Sequence, residues 1–218
     1  MQNIIALTWL DERIVSWIPD QVRNDSQTCV FIVVLLIAYL LGSIPTGKLV
    51  CKLKGVDIQS QGSGNTGATN VRRALGMRYA VLVGLIDLFK AYIPVRLAIE
   101  LQFGSWQICL VAFGASLGHC YSVFLGFKGG KAVSTYLGSL LALIPFFTLG
   151  WLVVWFVLVK TIKLMSLINL VMLLLFVPAL YFLQGIDYAG YAFLMWLFII
   201  FTHRANVSRL LKGTELKV

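Results

Sequence analysis

Apolar residues run almost unbroken through residues 29–46, 79–101, 106–125, 132–159, 164–183 and 188–202, and polar residues collect in the short gaps between them. A helix needs roughly 20 apolar residues to cross a hydrocarbon core about 30 Å thick, with 17–25 tolerated. Five of the runs suit one helix each. The stretch 132–159 is too long for one comfortable span and short for two. Pro145 sits in its middle and brings no backbone donor, so the pattern predicts a break there and two short helices.

Charge decides the count. Lysine and arginine gather in four short segments, 48–78, 128–131, 160–163 and 204–217. Short loops rich in these residues stay on the cytoplasmic side. Lys128/Lys131 and Lys160/Lys163 bracket the ambiguous stretch, and only an even number of crossings leaves both pairs inside. The predicted fold class is all-α: a polytopic membrane helix bundle of seven transmembrane helices, N-terminus outside and C-terminus cytoplasmic. Glu100 and Asp187 then fall on the opposite side.

Composition agrees. Of 218 residues, 59% are hydrophobic and 12% charged, against about 25% charged in a soluble domain. The net charge of +9 does not point to nucleic acid, because the cations flank the apolar runs. Cys29, Cys51, Cys109 and Cys120 show neither C-x-x-C pairing nor metal-ligand spacing, and read as small apolar fillers. Residues 1–28 form an extracytoplasmic extension before the membrane domain 29–218. They carry Asp11, Glu12, Asp20 and Asp25 against Arg13 and Arg23, without a basic leader or an A-x-A site. Ile4, Trp9, Ile14 and Trp17 suit a helix lying in the membrane interface, and an unstructured tail is the alternative.

Two polar loops carry candidate chemistry. In "GSGNTGATNVRRALG", Gly62, Gly64 and Gly67 spell G-x-G-x-x-G. The dinucleotide-binding use of that pattern needs a preceding strand and a βαβ unit, and here a membrane helix lies on either side. What survives is local: closely spaced glycines let successive N–H groups converge on an anion. Ser63, Asn65, Thr66, Thr69 and Asn70 add short polar side chains, and Arg72 and Arg73 suit bidentate phosphate contacts. The plain alternative is a loop whose arginines meet lipid headgroups. The second loop, Lys128-Gly129-Gly130-Lys131, presents a helix N-terminus to an anion. "GSIPTGKLV" nearly makes a Walker loop, but Leu49 stands where a Mg²⁺-binding Ser/Thr belongs. A broken helix end explains it, with Lys48 and free amides still able to face an anion.

Inside the second span, Asp87 and Lys90 share one face at i, i+3. A mid-membrane charge costs about 2.5–3.5 kcal/mol, so the two are expected to pair toward the interior. His119 and His203 end two of the spans. Ser166, Asn169 and "HRANVSRLLKGTE" bring further polar groups to the same side. Together these features predict one cytoplasmic pocket with walls open to lipid, where a phosphorylated soluble substrate meets an acyl chain. No acidic metal cluster is evident, and neither metal nor cofactor is expected.

In order along the chain, "GSIPTG", "GSGNTGATNVRRALG", "DLFK", "LGHCYSVFLGFKGGKAVST", "MSL" and "HRANVSRLLKGTE" resemble the successive motifs of the bacterial acyl-phosphate:glycerol-3-phosphate acyltransferases. The resemblance runs from about Leu41 to Glu215. It departs at Ser122, where the family usually has proline, and at Ala132 and Ser134, where it has glycine and alanine. It implies a bacterial inner-membrane enzyme in which the 1-hydroxyl of glycerol 3-phosphate attacks a fatty acyl phosphate, giving lysophosphatidic acid and phosphate. It further implies that Ser63, Asn65, Thr69, Asn70 and Arg73 form one part of the phosphate site, and Lys128, Gly129, Gly130 and Lys131 another. Ser166, His203 and Asn206 complete it. His203 is the first candidate to orient or deprotonate the hydroxyl, His119 the second, and the donor's own phosphate is a third acceptor. The H-x4-D mechanism of other glycerol-phosphate acyltransferases is excluded, because Phe124 and Ser208 stand five positions after the histidines. A transporter of phosphorylated metabolites is the rival reading. It would favour paired repeats and a midplane site, whereas no repeat is evident and the motifs gather at one face.

Overall fold

The computed structural model describes residues 20–217, which fold into helices and turns with no strand among the described residues. The proposed interfacial helix at the N-terminus lies outside the described residues. Helix α1 (Asp20–Ser43) starts well before residue 29, so the polar residues ahead of the apolar run prolong the first helix. It stops at Ile44 because Pro45 disfavours helical geometry in the residue before it and donates no N–H. A short α2 (Thr46–Lys52) and a 3₁₀ turn (Ile58–Ser60) follow, then α3 (Ala68–Leu75) and the long α4 (Met77–Glu100). Helix α5 (Ser105–Cys120) leads to the second glycine loop. Next come α6 (Val133–Leu143) and α7 (Pro145–Ile162), so the break expected near Pro145 occurs at Ile144. Proline occupies the first position of α7, where its missing donor costs nothing.

The run 164–183 is realised as two helices, α8 (Met165–Leu174) and α9 (Phe176–Gln184), with Leu175 between them. Pro178 explains the interruption: its ring clashes with the carbonyl four residues back, at Leu174, and it cannot donate. Helix α10 (Ile186–Thr202) bends by 67° at His203 into α11 (Arg204–Leu211). Among the described residues, four helical stretches are long and apolar enough to cross a membrane, namely Asp25–Lys52, Ser105–Leu125, Pro145–Ile162 and Met165–Gln184, and the bent pair α10–α11, taken as one span, makes a fifth. Helix α4 has the length, at 24 residues, but carries Asp87 and Lys90 inside. Helix α6, with 11 residues, is short and largely buried.

Small residues set the packing. A Cβ on Gly118 would lie 2.1 Å from the Tyr39 carbonyl oxygen, and one on Gly138 would lie 2.0 Å from that of Leu88. Only hydrogen lets α5 touch α1, and α6 touch α4, backbone to backbone. The expected Asp87–Lys90 pair forms at 2.5 Å and is buried. Lys90 also donates to the Ile44 carbonyl freed by the helix break, tying α4 to α1. A second small core of Cys51, Ile58, Val71 and Val83 clamps α2, the 3₁₀ turn and α3 against the first half of α4. That clamp sets the position of the first glycine loop.

Ala132 caps α6 with φ 65°, a left-handed conformation that costs an L-residue about 1–2 kcal/mol. Glycine there would relieve the strain. It would also lose a buried methyl, about 0.8 kcal/mol, and order a looser unfolded backbone, about 0.5–1 kcal/mol. The terms nearly cancel. Ala132→Gly is therefore expected to shift unfolding stability in detergent by less than about 1 kcal/mol. A loss above about 2 kcal/mol would mean that the methyl contact, not the strain, governs this turn.

Candidate active site

A cavity of about 390 Å³ is walled by α3, α4, α6, α7, α8 and the C-terminal segment. One end is polar and cationic, lined by Ser63, Asn65, Thr69, Asn70, Arg72, Arg73, His119, Lys131, Ser166, His203, Asn206 and Glu215. The other is apolar, lined by Val81, Leu85, Leu88, Leu137, Leu152, Trp155, Phe156 and Val159. Ten of the fifteen expected site residues line this cavity, but they do so in ways the spacing did not disclose.

The first glycine loop is folded on its own amides. Ser63 N–H donates to Asn70 Oδ1 at 3.1 Å, Gly64 N–H to the Gln61 carbonyl at 2.8 Å, and Gly67 N–H to Asn65 Oδ1 at 2.9 Å. Asn70 Nδ2 donates to the Ile58 and Gln61 carbonyls, and Asn65 Nδ2 to the Gly129 carbonyl at 3.3 Å. The anion nest expected at Gly62–Gly64 is therefore closed, and neither glycine lines the cavity. The two asparagines shape the loop instead. The donors left for an anion are at the start of α3, where Ala68 and Thr69 line the cavity and the capping residue, Gly67, offers no side chain. Its positive end faces the site.

The second loop corrects the expectation in the same way. Gly129 N–H donates to the Cys120 carbonyl at 2.9 Å and Gly130 N–H to that of His119 at 2.8 Å. Lys128 is exposed, and Lys128, Gly129 and Gly130 all lie outside the cavity lining. The glycines are needed because the turn hugs the end of α5: a Cβ on Gly130 would sit 1.9 Å from His119 Nε2. The turn's product is the placement of Lys131. Its ammonium donates to Asn206 Oδ1, and its carbonyl accepts from Thr202 Oγ1 at 3.2 Å. Lys48, by contrast, donates to Gln59 Oε1 at 2.8 Å and takes no part in the cavity.

His203 stands where α10 turns into α11. Its Nδ1 is 2.9 Å from the Ile199 carbonyl. A carbonyl only accepts, so Nδ1 carries the proton and Nε2 keeps its lone pair. Burial and the charge of Lys131 hold this imidazole down at about 4, so it is neutral at pH 7. His119 also lines the cavity, with Nδ1 3.9 Å from Asp87 Oδ1, too far for a direct hydrogen bond. Arg73 donates from Nη2 to the Leu216 carbonyl at 3.2 Å.

Glu215 was not singled out from sequence as a site residue, yet it is the hub of the polar end. It accepts from Ser166 Oγ at 2.9 Å, Asn206 Nδ2 at 2.6 Å and Arg209 Nε at 2.8 Å. Burial pulls its pKa up, but these bonds outweigh it and leave the carboxyl below its ordinary value. One signal was available: Glu215 is the lone acid among Arg204, Arg209, Lys212 and Lys217.

A profile of the family described as glycerol-3-phosphate acyltransferase matches residues 32–213. The chain belongs to the glycerol-3-phosphate acyltransferase family. It is 42% identical over 188 residues to the glycerol-3-phosphate acyltransferase of Aquifex aeolicus, covering 83% of this chain and 95% of that one. The Thermus thermophilus member is 45% identical over 186 residues, with 83% and 92% covered. Two crystal structures of PlsY, an integral membrane glycerol 3-phosphate acyltransferase, share the fold. The glycerol 3-phosphate form matches at TM-score 0.82 and 38% identity, covering 87% of this chain and 96% of that chain. The lysophosphatidic acid form matches at 0.80 and 39%, covering 86% and 95%. The protein is a membrane-embedded acyltransferase of phospholipid synthesis, which sets the transporter reading aside.

The departures from the acyltransferase motifs leave the loop intact. Ser122 has φ −64°, the value proline would impose, and its hydroxyl donates to the Ser43 carbonyl at the end of α1. Ala132 adopts a left-handed turn, a conformation that glycine would take without strain.

Lys131 makes a pH prediction. Burial first, then Arg209, lowers its ammonium to about 8, with Glu215 opposing. The free enzyme's kcat/KM for glycerol 3-phosphate is expected to fall as pH rises through about 8. Lys131→Arg should flatten that fall, because guanidinium stays charged. Stability moves oppositely. With the folded pKa below the ordinary 10.5, the unfolded chain binds more protons between about 8 and 10.5, so this group favours folding increasingly as pH rises there. An identical pH profile in the arginine variant would show that another group titrates.

Proposed function

We propose that the chain moves a fatty acyl group from acyl phosphate to the 1-hydroxyl of glycerol 3-phosphate, giving lysophosphatidic acid and inorganic phosphate. One observation carries this reading: a single cavity has a cationic, donor-rich end and an apolar wall. The acceptor's phosphate lies against the start of α3, Arg73 and Ser63. Lys131, held by Asn206, neutralises charge on the phosphoryl group that leaves. His203 offers Nε2 to the hydroxyl. As the hydroxyl oxygen bonds to the acyl carbon, its proton passes to Nε2 and the carbonyl pair moves onto oxygen. Collapse of that oxyanion breaks the bond to phosphate, which departs with the electron pair. An acyl phosphate is already activated, so positioning and charge stabilisation supply most of the catalysis. The bound forms of the two related structures, glycerol 3-phosphate and lysophosphatidic acid, fit this assignment.

The same reading includes the topology: seven spans, N-terminus outside, C-terminus and cavity mouth on the cytoplasmic side of the bacterial inner membrane. The lysine-rich loops support it. The test is purified protein offered acyl phosphate, acyl-CoA and acyl carrier protein separately, with labelled glycerol 3-phosphate. Turnover is expected with acyl phosphate alone. Activity confined to a thioester would overturn the donor assignment.

A further inference from the structure

Asn169 sits on the cavity wall, yet the chemistry above does not use it. It lies one turn beyond Ser166 on α8, about 4.5 Å along the axis, and is only 5% exposed. Trp155 of α7 donates its indole N–H to Asn169 Oδ1 at 2.7 Å. An indole nitrogen can only donate, so the amide oxygen must be the atom that faces it. That bond fixes which way the amide is turned. Its Nδ2 group is left pointing elsewhere, with no hydrogen-bond partner among the described residues. That group is not among the fully enclosed unpaired polar atoms, so it stays open to the cavity, where an acceptor can reach it.

The mounting is rigid. Trp155 stacks on Trp151 with ring centroids 6.2 Å apart, and Trp151 donates its own N–H to the Met172 carbonyl at 2.8 Å. Two indoles thus staple α7 to α8 around this amide. Its location is equally telling. Ser166, Lys131, Trp155 and Leu152 line the same cavity, and Asn169 links its polar and apolar lining, one turn from Ser166 on α8 and bonded to Trp155 of α7. An acyl phosphate with its phosphoryl group among the cations and its tail on the apolar wall has its carbonyl at that junction.

We infer that Asn169 Nδ2 donates to the carbonyl oxygen of the acyl donor and stabilises the oxyanion formed there, with Trp155 as the residue that aims it. This rests on the acyl-phosphate reading. When the acceptor oxygen bonds to the acyl carbon, the carbonyl pair shifts to oxygen and the Asn169 hydrogen bond strengthens. When the phosphate leaves, the pair returns, the carbonyl re-forms as the ester, and the charge goes with the phosphate.

The test is steady-state kinetics of the purified protein with a long-chain acyl phosphate and glycerol 3-phosphate, beside thermal unfolding in the same detergent. Asn169→Ala and the isosteric Asn169→Asp should each lower kcat by about 100-fold or more, as removal of an oxyanion donor does. KM for glycerol 3-phosphate should stay within about threefold. Trp155→Phe keeps the apolar wall but removes the aiming N–H, and should cost kcat about fivefold, the worth of one neutral hydrogen bond. If Asn169→Ala unfolds, Asn169→Asp and Trp155→Phe still decide. A kcat for Asn169→Asp within about threefold of wild type, or a loss confined to KM for glycerol 3-phosphate, overturns the inference. Absence of wild-type turnover with any acyl phosphate would instead overturn the donor assignment beneath it.

Discussion

Gly130→Ala is expected to lower kcat/KM by about 100-fold or more and to destabilise the fold by about 1–3 kcal/mol. The added methyl would lie 1.9 Å from Nε2 of His119, 2.6 Å from Cδ2 and 2.7 Å from Cε1. These are ring atoms of a side chain that is itself buried, not the end of a flexible one. Either the ring is driven toward the Asp87–Lys90 pair or the turn lifts away from α5. In both cases Lys131, the next residue, leaves its contact with Asn206. Displacement of a charge by about 1 Å at a reacting centre is worth roughly two orders of magnitude in rate. Steady-state kinetics read beside a thermal midpoint check this. A variant with wild-type rate and stability would mean that the imidazole yields freely and that Lys131 does not depend on the turn.

Arg73→Lys is expected to lose about 10–100-fold in kcat/KM, most of it in KM for glycerol 3-phosphate, while unfolding is nearly unaffected. A hydrogen bond to a charged group contributes about 1.5–3 kcal/mol, and an ammonium cannot reproduce the planar fork that grips two phosphate oxygens. The fold does not depend on that fork. Among the described residues the guanidinium donates to the Leu216 carbonyl at 3.2 Å. Calorimetry and initial rates separate the two effects. An unchanged KM would remove Arg73 from the phosphate site.

How much of this was legible in the chain differs between fold and site. Pro45 and Pro145 announced helix breaks because a missing N–H and a blocked φ act locally, whatever surrounds them. Pro178 carried the same message inside 164–183, but an unbroken apolar run masked it. The buried pairing of Asp87 with Lys90 followed from their spacing and the cost of an isolated charge in hydrocarbon. The glycine motifs led to loops that border the cavity, but not by the geometry their spacing suggested. Spacing suggested open amide nests, whereas Asn65, Asn70 and the end of α5 consume those amides. Glycine at 129 and 130 is demanded by close approach to His119, which depends on a partner ten residues away in another turn and has no sequence pattern of its own. Glu215 and the Trp155–Asn169 bond were hidden for a related reason: each acquires meaning only when α7, α8 and the C-terminal segment are brought together.

The tail beyond α11 reaches back to residues made long before it: Glu215 to Ser166, and Leu216 to Arg73, 143 positions earlier. One side of the cavity is therefore supplied by a short polar segment that no apolar helix carries, so the bundle can be complete while the site is still open. Exchange of amide protons in this segment should be faster than in the helices it closes against.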